Sequence, residues 1–290
     1  MPYSYSPLRY PGGKSQLYNF ILHTFEINQL QNITYCEPFC GGAGIAIKLL
    51  LKGKAKHIIL NDSDIAIYSI WKSILENEAD LIEKILDTPI TIDEWYKQHT
   101  KYMELKKNKK YSLELGFATF FLNRTNHSGI IEGGPIGGFK QDGKYKLDCR
   151  FNKENLIKKI RKISSSSSKI SLYNMDAIEF IDKVIKKKMG KETFIFFDPP
   201  YFKQGKNLYQ NALDEEYHKI LANKIESLNK PYWIVTYDNE DKIKNSYKEC
   251  DGWYYDIRYS VNKKRKDAEL LYSTDRLKID SYDKILLKKI

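Results

Sequence analysis

The stretch ITYCEPFCGGAGIAIKLLLKGKAKHIILND, residues 33–62, carries the strongest sign of fold class in the chain. An apolar run, Ile33 to Cys36, meets the cluster Phe39-Cys40-Gly41-Gly42-Ala43-Gly44. A helical apolar stretch, Ile45 to Leu51, then leads to a second short run, His57 to Leu60. Strand, tight turn, helix and strand make a βαβ unit, the building block of parallel sheets. Glycines between strand and helix let a ligand approach the backbone where a side chain would block it. A nucleotide-like cofactor fits there, and so does a plain tight turn. Asp62 ends the second strand about 20 residues further on, where a carboxylate can accept from ribose hydroxyls or cap the next helix.

Working outward, FIFFDPPY at residues 194–201 places a third apolar run before Asp198-Pro199-Pro200-Tyr201, and a fourth, Tyr232 to Val235, precedes Thr236-Tyr237-Asp238. Continuous apolar runs of this length suit buried strands of a parallel sheet. Ligands of open α/β sheets sit beyond the carboxyl ends of the strands, so Asp198 and Tyr201 bring an acceptor and an aromatic face to that end. Two successive prolines remove two N–H donors and leave carbonyl acceptors. An amine is the substrate such acceptors suit.

Residues from about 70 to 163 break the strand–helix rhythm. They start with a helical pattern, become lysine-rich at Lys97 to Lys110, and carry a glycine-rich segment from Ser128 to Gly143. The serine run Ser164 to Ser168 follows, a composition typical of flexible connectors. The expected organisation is an α/β catalytic domain, 1–69 and 164–290, interrupted by a mainly helical module at 70–163.

Of the 290 residues, 42% are hydrophobic and 13% aromatic, enough apolar surface for a packed core. The formal charge of +11 favours a polyanionic partner through phosphate neutralisation. Cys36, Cys40, Cys149 and Cys250 form no CxxC pair, and the five histidines lack metal-ligand spacing, so free thiols and no metal site are expected. With no apolar stretch of spanning length and no apolar leader at MPYSYSPLRYPGGK, a cytoplasmic protein is expected.

LRYPGGK (8–14), EPFCGGAG (37–44), Asn61-Asp62 and DPPY (198–201) occur in that order, with FLNRTNHSG (121–129) and Arg150-Phe151-Asn152 between them. Together they resemble the Dam-like, D12 class, DNA adenine methyltransferases over most of the chain. The resemblance implies a Rossmann-like, S-adenosylmethionine-dependent sheet, with the inserted module as the target-recognition domain. It implies transfer of a methyl group to the N6 amine of a flipped adenine, with Asp198, Pro199, Pro200 and Tyr201 catalytic. For the cofactor it implies Tyr10 and Lys14 at the methionine part, the turn Glu37, Phe39, Gly41, Gly42 and Gly44, and Asp62 at the ribose. A tryptophan often stands where this sequence has Tyr10. Asp176 is a candidate for the cofactor's adenine amine and equally for a helix cap.

As partners, the resemblance implies double-stranded DNA, with a cognate restriction endonuclease in the same system but no stable complex, in a monomeric, prokaryotic or phage-encoded protein. Lys101, Lys106, Lys107, Lys109 and Lys110, and the turn Lys263-Lys264-Arg265-Lys266, are candidates for phosphate contacts or ordinary solvated surface. Arg124 and Asn126 are candidates for base or phosphate contact, or for holding their loop together. Rival readings are an RNA or protein-amide methyltransferase of the same fold and a catalytically inactive DNA-binding protein.

Overall fold

The computed structural model describes residues 4–10, 14–201, 215–259 and 265–290. The strands are β1 (Thr34–Glu37), β2 (His57–Asn61), β3 (Ile170–Tyr173), β4 (Thr193–Phe197), β5 (Tyr232–Asp238), β6 (Gly252–Tyr259), β7 (Arg265–Ser273) and β8 (Leu287–Lys289). They form one mixed sheet in the order β3-β2-β1-β4-β5-β7-β6-β8. The first five run parallel; β7 enters antiparallel beside β5, and β6 and β8 continue antiparallel.

The chain steps from β1 out through β2 to β3, then returns to β4 on the other flank of β1. Neighbouring connections therefore leave in opposite directions, which opens a crevice at the carboxyl ends of β1 and β4. EPFCGGAG follows β1 and DPPY follows β4, so this crossover brings together two motifs 160 residues apart in the chain, by the numbering of Glu37 and Phe197.

Alternate strand residues feed opposite faces, as the pleat requires. Tyr35, Phe194, Phe196 and Ile234 belong to one apolar cluster and Cys36, Ile195, Phe197 and Val235 to the other. The first cluster also holds helices α1 (Tyr18–Ile27), α2 (Gly44–Leu51), α3 (Ile65–Glu76), α4 (Glu78–Asp87), α5 (Ile92–Leu105), α6 (Leu113–Thr125) and α7 (Lys153–Ser164). Side chains at the N-caps fix where several of these start: Asp64 accepts from Ala66 N at 2.8 Å, Ser112 from Leu115 N at 3.1 Å and Asn152 from Asn155 N at 2.8 Å.

Two features differ in form from the sequence reading. Residue 70 lies inside α3, whose Ile70 and Trp71 are fully buried, and the Trp71 indole donates to Gly41 O at 2.8 Å. The helical segment thus shares the sheet's core and braces the glycine turn. The serine run is a helix cap and a turn: Ser164 ends α7, Ser165 N and Ser166 N donate back to Arg161 O and Ile163 O at 2.9 Å, and Ser167–Lys169 form a 3-10 turn into β3.

The glycines of the turn have unequal reasons. Gly41 has φ +42°, and a Cβ there would lie 2.7 Å from the Tyr10 ring; one at Gly42 would lie 2.9 Å from Tyr10 Cβ. At these two positions the close approach is made by Tyr10. A Cβ at Gly44 would meet nothing within 4 Å. Gly41→Ala should therefore destabilise the fold by about 1–3 kcal/mol through strain and displacement of Tyr10, whereas Gly44→Ala, at the first position of α2, should leave stability unchanged or slightly raised. Thermal melts of the two variants check this, and equal melting temperatures would contradict it.

Candidate active site

Asp198 stands at the carboxyl end of β4 with its side chain 24% exposed, so it can be reached from the crevice. Its Oδ1 accepts from Thr236 Oγ1 of β5 at 2.9 Å and pairs with Lys14 Nζ at 3.2 Å. The Lys14 ammonium is buried, 3.6 Å from Glu269 Oε1, donates to the Tyr201 hydroxyl and lies 4.5 Å from the centre of the Tyr201 ring. Tyr201 in turn donates to Glu269 Oε1, and Tyr255 donates to Glu269 Oε2. Glu269 was not anticipated from sequence. It sits in the apolar run of β7, and only the pairing of β7 with β5 carries it to Lys14 and Tyr201.

Beside this cluster, Glu37 ends β1 and faces inward, its Oε1 accepting from Ala46 N at 3.1 Å. Burial pushes its carboxyl up to about 8. Phe39 is half-buried in the turn that follows. Asn61 locks the three strand ends together: Cys40 N donates to its backbone carbonyl at 2.9 Å, its side-chain amide donates to Pro38 O at 2.9 Å and Met175 O at 3.0 Å, and its Oδ1 accepts from Met175 N at 3.1 Å. Asp62 Oδ2 accepts from Gly41 N at 2.9 Å and Oδ1 from Asp64 N at 3.0 Å. Burial first, and then the charge of Asp64, pushes Asp62 up to about 7. Asp176 caps the short helix Ala177–Phe180, accepting from Ile178 N at 2.9 Å, while its Oδ2 accepts from the Tyr217 hydroxyl at 2.7 Å.

The crevice so built has a glycine turn, a carboxylate at each flanking strand end and a buried lysine. The family described as D12 class N6 adenine-specific DNA methyltransferase matches residues 10–266. The chain belongs to that family. It is an adenine-specific DNA methyltransferase, and a curated relative, the type II methyltransferase M.MjaIII of Methanocaldococcus jannaschii, is 29% identical over 206 residues, 67% of this chain and 68% of that one. Two solved structures are similar at a distance too great to bear on what this chain does. One is a proposed RNA methyltransferase of Pyrococcus horikoshii, with 9% identity, 92% and 85% of the two chains and a TM-score of 0.41. The other is the rRNA methyltransferase aviRa of Streptomyces viridochromogenes, with 11% identity, 91% and 86% of the two chains and a TM-score of 0.38.

In this methyltransferase the FLNRTNHSG segment works inward. Asn123 Oδ1 accepts from Arg9 N at 2.9 Å, its amide donates to Arg9 O at 2.6 Å, and a Cβ at Gly129 would collide with Arg9 O. Asn126 is fully buried; it accepts from the Trp95 indole at 2.6 Å and donates to Ile130 O and Ile131 O at 3.0 and 2.8 Å. Arg124 donates through Nε to Arg150 O at 2.8 Å and through Nη1 to Pro7 O at 3.4 Å. Both side chains hold the loop and the N-terminal motif, and Asn126 has both ends of its amide engaged within the protein. The reason is that α6 is buried on nearly all sides.

The lysines divide likewise. Lys106 pairs with Glu132 at 3.0 Å and Asp64 at 3.8 Å and donates to the Tyr102 hydroxyl, an internal tie. Lys101, Lys107, Lys109 and Lys110 are exposed. Lys263 and Lys264 lie outside the described residues, and Arg265 and Lys266 begin β7. Among the described residues no helix is long and apolar enough to cross a membrane.

The raised carboxyl of Glu37 has a consequence for stability. The folded enzyme keeps a proton that the unfolded chain releases near the ordinary carboxylate range, so stability is fullest below that range. It declines as pH rises through about 8, by at most about 1.4 kcal/mol per pH unit for one proton. Glu37→Gln keeps an acceptor for Ala46 N and removes this titration. Its melting temperature should fall less than that of wild type between about pH 5 and about pH 8. Parallel curves for the two proteins would show that Glu37 is ionised in the fold.

Proposed function

We propose that methyl transfer takes place in the crevice between β1 and β4, in a Rossmann-like sheet that uses S-adenosylmethionine. The observation that carries this is the Asp198 carboxylate, partly exposed at the switch point and fixed there by Thr236 and Lys14. The turn fits the cofactor, since the backbone at Gly44 is unobstructed and Asp62 offers a carboxylate where β2 ends. S-adenosylmethionine supplies a methyl group already activated by the sulfonium charge. Glu37, Phe39, Gly41, Gly42, Gly44 and Asp62 would hold it, with Tyr10 and Lys14 towards its methionine part. Asp176 already serves as helix cap and tyrosine acceptor, which leaves it a lesser part.

Adenine N6 is a poor nucleophile because its lone pair is delocalised into the ring. The Asp198 carboxylate and the Pro199 carbonyl accept its two N–H bonds, favouring a pyramidal nitrogen whose lone pair faces the methyl carbon. Pro200 keeps the backbone rigid, and Tyr201 offers a ring face to the base. An adenine inside a duplex cannot reach this site, so it must be flipped out of the stack. Double-stranded DNA then lies across the carboxyl end of the sheet. Residues 70–163 supply target recognition, and Arg124 and Asn126 shape that segment from within. The likeness to a type II methyltransferase supports a role in protecting DNA from a cognate restriction endonuclease.

Asp198→Ala removes an acceptor at the carboxyl end of β4; Glu269 still pairs with the buried Lys14 ammonium, so the fold should persist with reduced stability. Transfer of labelled methyl groups to unmethylated DNA should drop by about 100-fold or more, and turnover within about tenfold of wild type would contradict the assignment. Replacing Lys107, Lys109 and Lys110 together by Ala should weaken binding to all DNA sequences alike. It should also make the salt dependence shallower, by about 0.9 in slope for each phosphate no longer neutralised. An unchanged slope would return these lysines to plain surface.

A further inference from the structure

We infer that Glu269 is a positioning residue of the transfer site, which fixes the Tyr201 ring through its hydroxyl and shares the Lys14 ammonium with Asp198. The inference rests on the assignment of Asp198 and Tyr201 to methyl transfer. Glu269 lies in β7 beside Leu270 and Leu271, opposite Asp238 of β5 and Tyr255 of β6, and is 1% exposed. A carboxylate buried there loses its hydration and needs hydrogen bonds in return. The two tyrosines provide one for each oxygen, and burial still raises its pKa. An apolar side chain would fill the same place in the strand with less penalty. What an apolar side chain would not do is orient its neighbours.

Two neighbours are oriented. Tyr201 follows a rigid Pro-Pro pair, so its backbone is fixed but its ring can still turn about the side-chain bonds. Donation of its hydroxyl to Glu269 pins the far end of the side chain and so fixes where the ring stands beside a flipped base. The Lys14 ammonium lies 3.2 Å from Asp198 and 3.6 Å from Glu269. With the second carboxylate neutral, the ammonium would pair with Asp198 alone and draw electron density from the acceptor that N6 requires. Both effects act chiefly on the transfer step: Lys14 keeps its charge and Asp198 as its partner, so it still faces the methionine part of the cofactor, and no contact to duplex DNA is removed.

Glu269→Gln keeps the shape and one acceptor while losing the charge. In the full-length enzyme, with labelled S-adenosylmethionine and DNA from a host lacking adenine methylation, kcat should fall about 10- to 100-fold, while both KM values stay within about threefold. Glu269 acts largely through Tyr201, so the same change made in Tyr201→Phe should cost clearly less than it does in wild type. An unchanged kcat, an equal cost in the two backgrounds, or a loss confined to KM would each overturn the inference. Should Glu269→Gln fail to fold, Tyr255→Phe removes the donor to Glu269 Oε2 and should lower kcat several-fold at constant KM; an unchanged kcat would again overturn it. Asp198→Ala in the same assay separates the two readings, because an inactive Asp198→Ala beside a fully active Glu269→Gln defeats this inference alone.

Discussion

One ammonium, Lys14 Nζ, sits buried between two carboxylates, one just beyond the end of β4 and one within β7. Charges taken out of water persist only when paired and hydrogen-bonded. Lys14 therefore ties the N-terminal segment to β4 through Asp198 and to β7 through Glu269, with Tyr201 bridging. The arrangement demands that LRYPGGK, DPPY and the antiparallel end of the sheet be assembled together. Much of the remaining structure holds these three pieces in register.

The N-terminal segment is held by α6 and the loop after it. Asn123 grips the Arg9 backbone with both ends of its amide, and Arg9 Nη1 donates to Asn126 O at 3.0 Å. The same segment lays Tyr10 across Gly41 and Gly42, and the carbonyl at Gly41 is fastened by Trp71 of α3. The helical segment is thus more than a recognition appendage. It shares the sheet's core, and residues that face inward from it set the position of the glycine turn.

The βαβ unit and the strand before DPPY were legible because continuous apolar runs end in turn residues, a pattern local in sequence. β3 was not anticipated as a strand. It is a four-residue edge strand of which only Ile170 is buried, and its period is too short to stand out. The roles of Arg124 and Asn126 were ambiguous for a physical reason: residue type gives hydrogen-bonding capacity, whereas direction depends on how α6 packs, and α6 is buried nearly all round. Glu269 carried no local signal at all. Its meaning arises from pairing with Asp238 and Tyr255, contacts that the chain order conceals. The glycines of the turn were read as room for a ligand; at Gly41 and Gly42 the group that comes close is Tyr10, brought there by the fold of the N-terminal segment.

Cofactor and target base should meet between the turn after β1 and the DPPY stretch after β4. A crystal structure of the enzyme with S-adenosylhomocysteine decides whether they do. The nucleoside is expected over the backbone at Gly44, with its ribose hydroxyls on Asp62 and its sulfur directed towards Asp198 and Tyr201. A ligand bound elsewhere, or one whose ribose lies beyond hydrogen-bond reach of Asp62, would contradict this placement.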